Sequence, residues 1–127
     1  MDWTFRGDQP IYSQLVRRIK QGIVSGELKP GEKLPSVRDL AAEAGVNPNT
    51  MQRALQELER EGMVFPQRTS GRFVTEDVKL IEEAKRAFAS EYIRVFLEEM
   101  GKLGCRREEI LSLLREEKED ADGNSGM

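Results

Sequence analysis

The chain contains no histidine and only one cysteine, Cys105. Structural and catalytic zinc sites are built mainly from those two residue types, so no metal is expected. Nucleophile triads that rely on an imidazole base are excluded for the same reason. A lone thiol cannot close an internal disulfide, which fits a reducing, cytoplasmic setting. Aromatic residues make up only 6% of the chain, so its core has to be mostly aliphatic. No apolar run exceeds a few residues, whereas a membrane-spanning helix needs about 20. The opening MDWTFRGDQP lacks the apolar stretch of a signal peptide.

What is present is charge and helical periodicity. Of 127 residues, 34% are charged and 38% hydrophobic, the balance of a helix-rich domain with a modest core and a short appendage. The net charge is −3 and is unevenly spread. Residues 1–76 hold 11 Lys and Arg against 10 Asp and Glu (+1), and residues 77–127 hold 9 against 13 (−4). The carboxylates sit at helix-surface spacing beside Lys or Arg, which reads as a solvated face rather than as acid–base machinery. No cofactor is expected. Any nucleic-acid contact has to rest on a few placed arginines rather than on a broad positive field.

In chain order, Trp3 and Phe5 alternate weakly and suggest a short edge strand or arm. Pro10 suits the first turn of a helix. Ile11, Leu15, Ile19 and Ile23, widened by Val16 and Val24, predict an amphipathic helix over Pro10–Ser25. The stretch GELKPGEKLPS breaks it, and Lys33–Leu34 is a candidate strand. Ser36 with Asp39 resembles a capping box opening a second helix, buried through Val37, Leu40, Ala41 and Ala44 and closed by Gly45. Asn47-Pro48, a favoured cap followed by a favoured first residue, opens a third. Its inner stripe is Met51, Ala54, Leu55 and Leu58, and Gly62 stops it. Met63–Gln67 and Arg72–Thr75 predict a hairpin whose tip is Arg68-Thr69-Ser70-Gly71, with Pro66 on an edge.

Two short helices joined by a tight turn and followed by a hairpin form a winged helix-turn-helix pattern, organised around Leu34–Val74. The third helix carries short polar side chains on the faces its apolar stripe leaves free: Asn47, Asn49, Thr50, Gln52, Arg53 and Gln56. Asn and Gln can pair with the edge of adenine, Arg with that of guanine, and Thr with a base or a phosphate. Gln56 reads as an ordinary surface residue, Asn47 doubles as a cap, and Arg53 has Glu57 as an alternative partner one turn on. Ser36 is a candidate phosphate contact, Arg38 a candidate contact to backbone or base, and Arg68 and Arg72 candidate wing contacts.

LPSVRDLA, GVNPNTMQRALQELEREGMV and the R-x-x-G-x-F-V end of the hairpin resemble the GntR family of bacterial transcription regulators. PIYSQLVRRIKQGIVSGELKPGEKLPS resembles that family's first helix and loop, so the match spans roughly residues 9–75. The resemblance implies a winged helix that binds operator DNA as a dimer. It places DNA contacts at Arg38, at Asn47, Asn49, Thr50 and Gln52, and at a minor-groove wing glycine, Gly71. Many members carry Arg early in the recognition helix where this chain has Pro48 and Gln52, so their base preference does not transfer.

Beyond the wing, Val78, Ile81, Ala84, Phe88, Tyr92, Val95, Phe96 and Met100 trace a long helical stripe, and Arg106–Glu119 a shorter one. A lone helix cannot bury such a stripe. The expected dimerisation residues are Ile81, Phe88, Tyr92, Val95 and Phe96. The short extension resembles that of the YtrA-type subfamily, in which two helices serve dimerisation. The expected fold is therefore mainly α with a small β wing: a winged helix-turn-helix over 1–75, a two-helix dimerisation extension over 76–119 and a disordered tail over 120–127. The expected function is a homodimeric regulator, a repressor by preference, acting on a two-fold operator. The rival reading is a winged helix that binds protein, which would favour an apolar patch on the third helix. An enzyme of the kind that fuses this motif to an aminotransferase-like domain needs a much longer chain. A small-molecule effector has little room for an enclosed pocket in residues 77–127.

Overall fold

The computed structural model describes the backbone of residues 1–125 and the side chains of residues 1–117. Its elements are α1 (Ile11–Val24), α2 (Val37–Ala44), α3 (Pro48–Arg60), β1 (Val64–Gln67), β2 (Gly71–Val74), α4 (Val78–Lys102) and α5 (Arg107–Ser125). They divide into two compact units, residues 1–87 and 88–127. The boundary falls inside α4 rather than after the wing at residue 75.

The first unit is a three-helix cluster closed by the hairpin. Leu15, Ile19 and Ile23 of α1 meet Leu40 and Ala41 of α2 and Met51, Ala54, Leu55 and Leu58 of α3 in one core, sealed by Val64 and Val74 of the two strands. The fully buried leucines and isoleucines each contribute roughly 1.5–3 kcal/mol. Ile81 from the start of α4 belongs to this core, with Leu80 and Ala84 packed on it. This corrects the place of Ile81 in the dimerisation stripe: its side chain is already consumed within the chain.

Local chemistry sets the helix limits. The Ser36 hydroxyl accepts from the Asp39 amide at 3.1 Å, and Gly45 closes α2 in the left-handed conformation (φ 71°). The Asn47 side chain accepts from the Asn49 amide at 2.7 Å, with Pro48 at the first helical position of α3. Between the helices lie only Gly45, Val46 and Asn47. Pro10 occupies the cap position of α1 itself.

In the hairpin, Val64 pairs with Val74 and Gln67 with Gly71. The 31–34 loop lies along the other edge of β2. Lys33 bridges to Phe73, and the Leu34 amide donates to the Arg72 carbonyl at 2.9 Å. β1 is therefore the outer strand, the position at which Pro66 forfeits no ladder bond. The N-terminal residues form an irregular arm, not a strand. Trp3 and Phe5 stack at 6.4 Å and pack on the core. The Trp3 indole donates to Glu43 at 2.6 Å. That bond is the main reason the Glu43 carboxyl titrates below its ordinary range.

In the second unit α4 runs on to Lys102, and Gly104 turns the chain with φ 80°. Ile110 of α5 is buried, and Ile93, Phe96 and Leu97 face Ile110, Leu111 and Leu114 across an open apolar groove. α5 continues to Ser125, beyond the Glu119 limit expected from the sequence; residues 126–127 of the expected tail lie outside the described residues. Among the described residues no helix is long and apolar enough to cross a membrane.

Candidate nucleic-acid interface

The site is assembled from two helix N-termini and the wing. Asn47, Pro48 and Asn49 are exposed at the start of α3, while Thr50 and Gln52 are half-buried beside them. Met51, Ala54, Leu55 and Leu58 of the same helix are fully buried. α3 thus turns its apolar stripe inward and leaves a polar face free. Its first amides also carry the positive end of the helix dipole, which favours an anion. The Asn47 carbonyl oxygen is engaged as the cap, which leaves its NH2 group to donate outward.

At the start of α2, Ser36 accepts from Asp39 and keeps its hydroxyl proton for an outside acceptor. Arg38 is exposed and makes no hydrogen bond or ion pair among the described residues. An unpaired guanidinium beside a helix N-terminus has no structural role to explain it. A groove lined by Lys33, Pro35, Ser36, Val37, Asp39, Ser70, Gly71 and Arg72 joins this end of α2 to the wing. The structure therefore brings Ser36 and Gly71 together. Gly71 sits at φ 102°, where a side chain would be strained.

The wing arginines separate. Arg68 is exposed at the tip, without a hydrogen bond or ion pair among the described residues. Arg72 is a strand residue, and its Nε donates to Glu59 of α3 at 2.7 Å. Both side chains are largely shielded, 19% and 23% exposed. Arg72, expected as a wing contact to DNA, is engaged with Glu59, and this pair fastens the wing to α3. Arg53 does not pair with Glu57. Its guanidinium lies 4.0 Å over the Tyr12 ring of α1. Glu57 instead accepts from Arg60, whose Nε is 2.9 Å away. This pair draws the Glu57 carboxyl down to about 2.

Lys33 was overlooked in the sequence. It is exposed, and its Cε is 3.5 Å from where a Gly71 Cβ would stand. The signal was available, because in a Lys33–Leu34 strand a buried Leu34 turns Lys33 outward. Of the expected dimerisation residues, Tyr92, Val95 and Phe96 are 52%, 47% and 38% exposed. Phe88 is half-buried and stacks on Tyr92 at 6.4 Å. Ile93, at 56% exposed, was not expected in this group. Among the described residues no three His, Cys, Asp or Glu side chains could together hold a metal.

The model of the bacterial regulatory proteins of the gntR family matches residues 11–74. The chain is 41% identical over 111 residues to the uncharacterized HTH-type transcriptional regulator YhcF of Bacillus subtilis, covering 87% of this chain and 92% of YhcF. It is 34% identical over 119 residues to the HTH-type transcriptional repressor YtrA of the same organism, covering 93% and 92%. A GntR family transcriptional regulator from Listeria monocytogenes superposes with a TM-score of 0.81 at 39% identity, over 88% of this chain and 98% of that one.

Proposed function

The chain belongs to the gntR family of bacterial regulatory proteins and is a transcriptional regulator with a winged-helix DNA-binding domain, and we propose that it is a homodimeric repressor in the cytoplasm acting on a two-fold operator. The observation that carries this reading is the pairing of a polar α3 N-terminus with an unpaired Arg38 at the start of α2. Asn49, Thr50 and Gln52 are the base-reading candidates. Arg38, Arg68, Lys33, Ser36 and the capping Asn47 meet phosphates, and Gly71 lets the wing backbone approach the minor groove. In an acidic chain these few cations have to be well placed, because no bulk positive field assists them.

Homodimerisation is supported by the second unit. Tyr92, Ile93, Val95 and Phe96 leave large apolar area uncovered in one chain, and a second copy is the simplest cover for it. Likeness to the repressor YtrA over most of both chains supports repression. Selection of bound duplexes from random DNA tests the reading. Inverted half-sites about one helical turn apart, or a multiple of that, are expected. Recovery of no sequence preference would defeat it.

A further inference from the structure

Arg53 has an arrangement that base reading does not explain. It projects from α3, but its guanidinium sits over the Tyr12 ring of α1, with Cζ 4.0 Å from the ring centroid. The ring is braced in turn, because the Tyr12 hydroxyl donates to Glu57 at 3.5 Å. Glu57 is itself held by Arg60. Arg53 makes no hydrogen bond or ion pair among the described residues. The guanidinium is therefore held against the ring, while its N–H donors are unused.

We infer that Tyr12 is a positioning residue that holds Arg53 ready as a bidentate clamp for a DNA phosphate; this rests on the operator-binding reading above. The cation–π contact holds the planar fork against the ring and restrains its rotamers. The donors then stay presented for a bidentate contact to a phosphate. A guanidinium held at the seam of α1 and α3 lies beside the recognition helix rather than beyond its free face. A backbone phosphate at the groove wall is the acceptor that such a position suits. Sequence reading is left to Asn49, Thr50 and Gln52. α1, which supplies core and no base contact, thereby acquires a part in DNA binding.

The test is a double-mutant cycle, read by fluorescence anisotropy on a labelled duplex recovered from the random-DNA selection. Tyr12→Leu keeps apolar bulk but removes the ring, and weakens binding about two- to fivefold, the factor that an exposed cation–π contact represents. Tyr12→Phe keeps the ring beneath the guanidinium and gives up only the long hydroxyl contact to Glu57, so it loses far less binding than Tyr12→Leu. Arg53→Ala lowers the salt slope by about one, and in that background Tyr12→Leu has no further effect. Equal Tyr12→Leu losses in both backgrounds would overturn the inference, as would a Tyr12→Phe loss matching Tyr12→Leu. Should Tyr12→Leu not fold, Arg53→Lys decides: it keeps the charge and loses the fork, so several-fold weaker binding supports the clamp and wild-type affinity overturns it. A wild-type chain that binds no selected duplex defeats the operator reading along with this one; binding with additive losses defeats this one alone.

Discussion

Arg72 and Glu59 form a strut between the wing and the recognition helix, 2.7 Å from Nε to Oε2 and largely shielded from solvent. The strut joins the return strand to the last turn of α3, so the hairpin cannot swing without breaking it. Arg72→Ala and Glu59→Ala should each cost about 1 kcal/mol of stability, the upper end for a surface pair. The double variant should cost little more than either, because each single change already removes the contact. Denaturant titration of the four proteins measures this. Additive losses would mean that the two side chains act independently.

The strut also separates two arginines that look equivalent by composition. Arg38 is unpaired and Arg72 is neutralised. Arg38→Ala should weaken operator binding without changing thermal stability, and should lower the dependence of log affinity on log salt by about one. Arg72→Ala should lower stability and leave that slope nearly unchanged. Titrations of both variants against one duplex at several salt concentrations distinguish them. Equal slopes for Arg38→Ala and wild type would remove Arg38 from the interface.

The limits of the reading elements were legible because their signals are local. Ser36 with Asp39, Gly45, and Asn47 with Pro48 act on backbone groups within a few residues, so spacing alone places the start of α2 and the turn into α3. The partnerships were not legible, because they depend on packing between distant segments. Nothing near Arg53 in sequence announces Tyr12, and Arg72 finds Glu59 thirteen residues upstream only because the hairpin folds back on α3. α4 misled in a different way. Its apolar stripe is continuous in sequence, yet Ile81 lies in the core of the first unit while Tyr92 and Val95 stay exposed in the second. One helical period served two different burials.

That division of α4 decides which residues test assembly. Ile81 would report only on folding, and Phe96 lines the groove between α4 and α5. Tyr92 and Val95 are the cleaner probes, half-exposed and spaced to share a helix face. Tyr92→Glu with Val95→Glu should give monomers of unchanged helicity, because it places two charges where an apolar partner surface is required. Sedimentation equilibrium reads the mass. A dimer that survives both substitutions moves the interface to another surface. Loss of the dimer should also weaken operator binding, since each half-site would then be held by one chain.

Glu57 makes the bracing of the α1–α3 seam sensitive to acid. Hydrogen bonds from Arg60, the largest cause, hold its carboxyl at about 2 instead of the ordinary 4.5. A carboxyl depressed on folding stabilises the folded chain fully above the unfolded value, and that contribution is lost as pH falls towards the folded one. Wild type should therefore melt above Glu57→Gln at pH 7, and the gap should narrow as pH falls from about 4.5 towards about 2. Above pH 6 it should stay constant, because the carboxyl is ionised in both states there. Thermal melts of the two proteins across this range measure the gap. A gap that persists at the acid end would show that Gln loses something other than the charge, such as its fit against Tyr12 and Arg60.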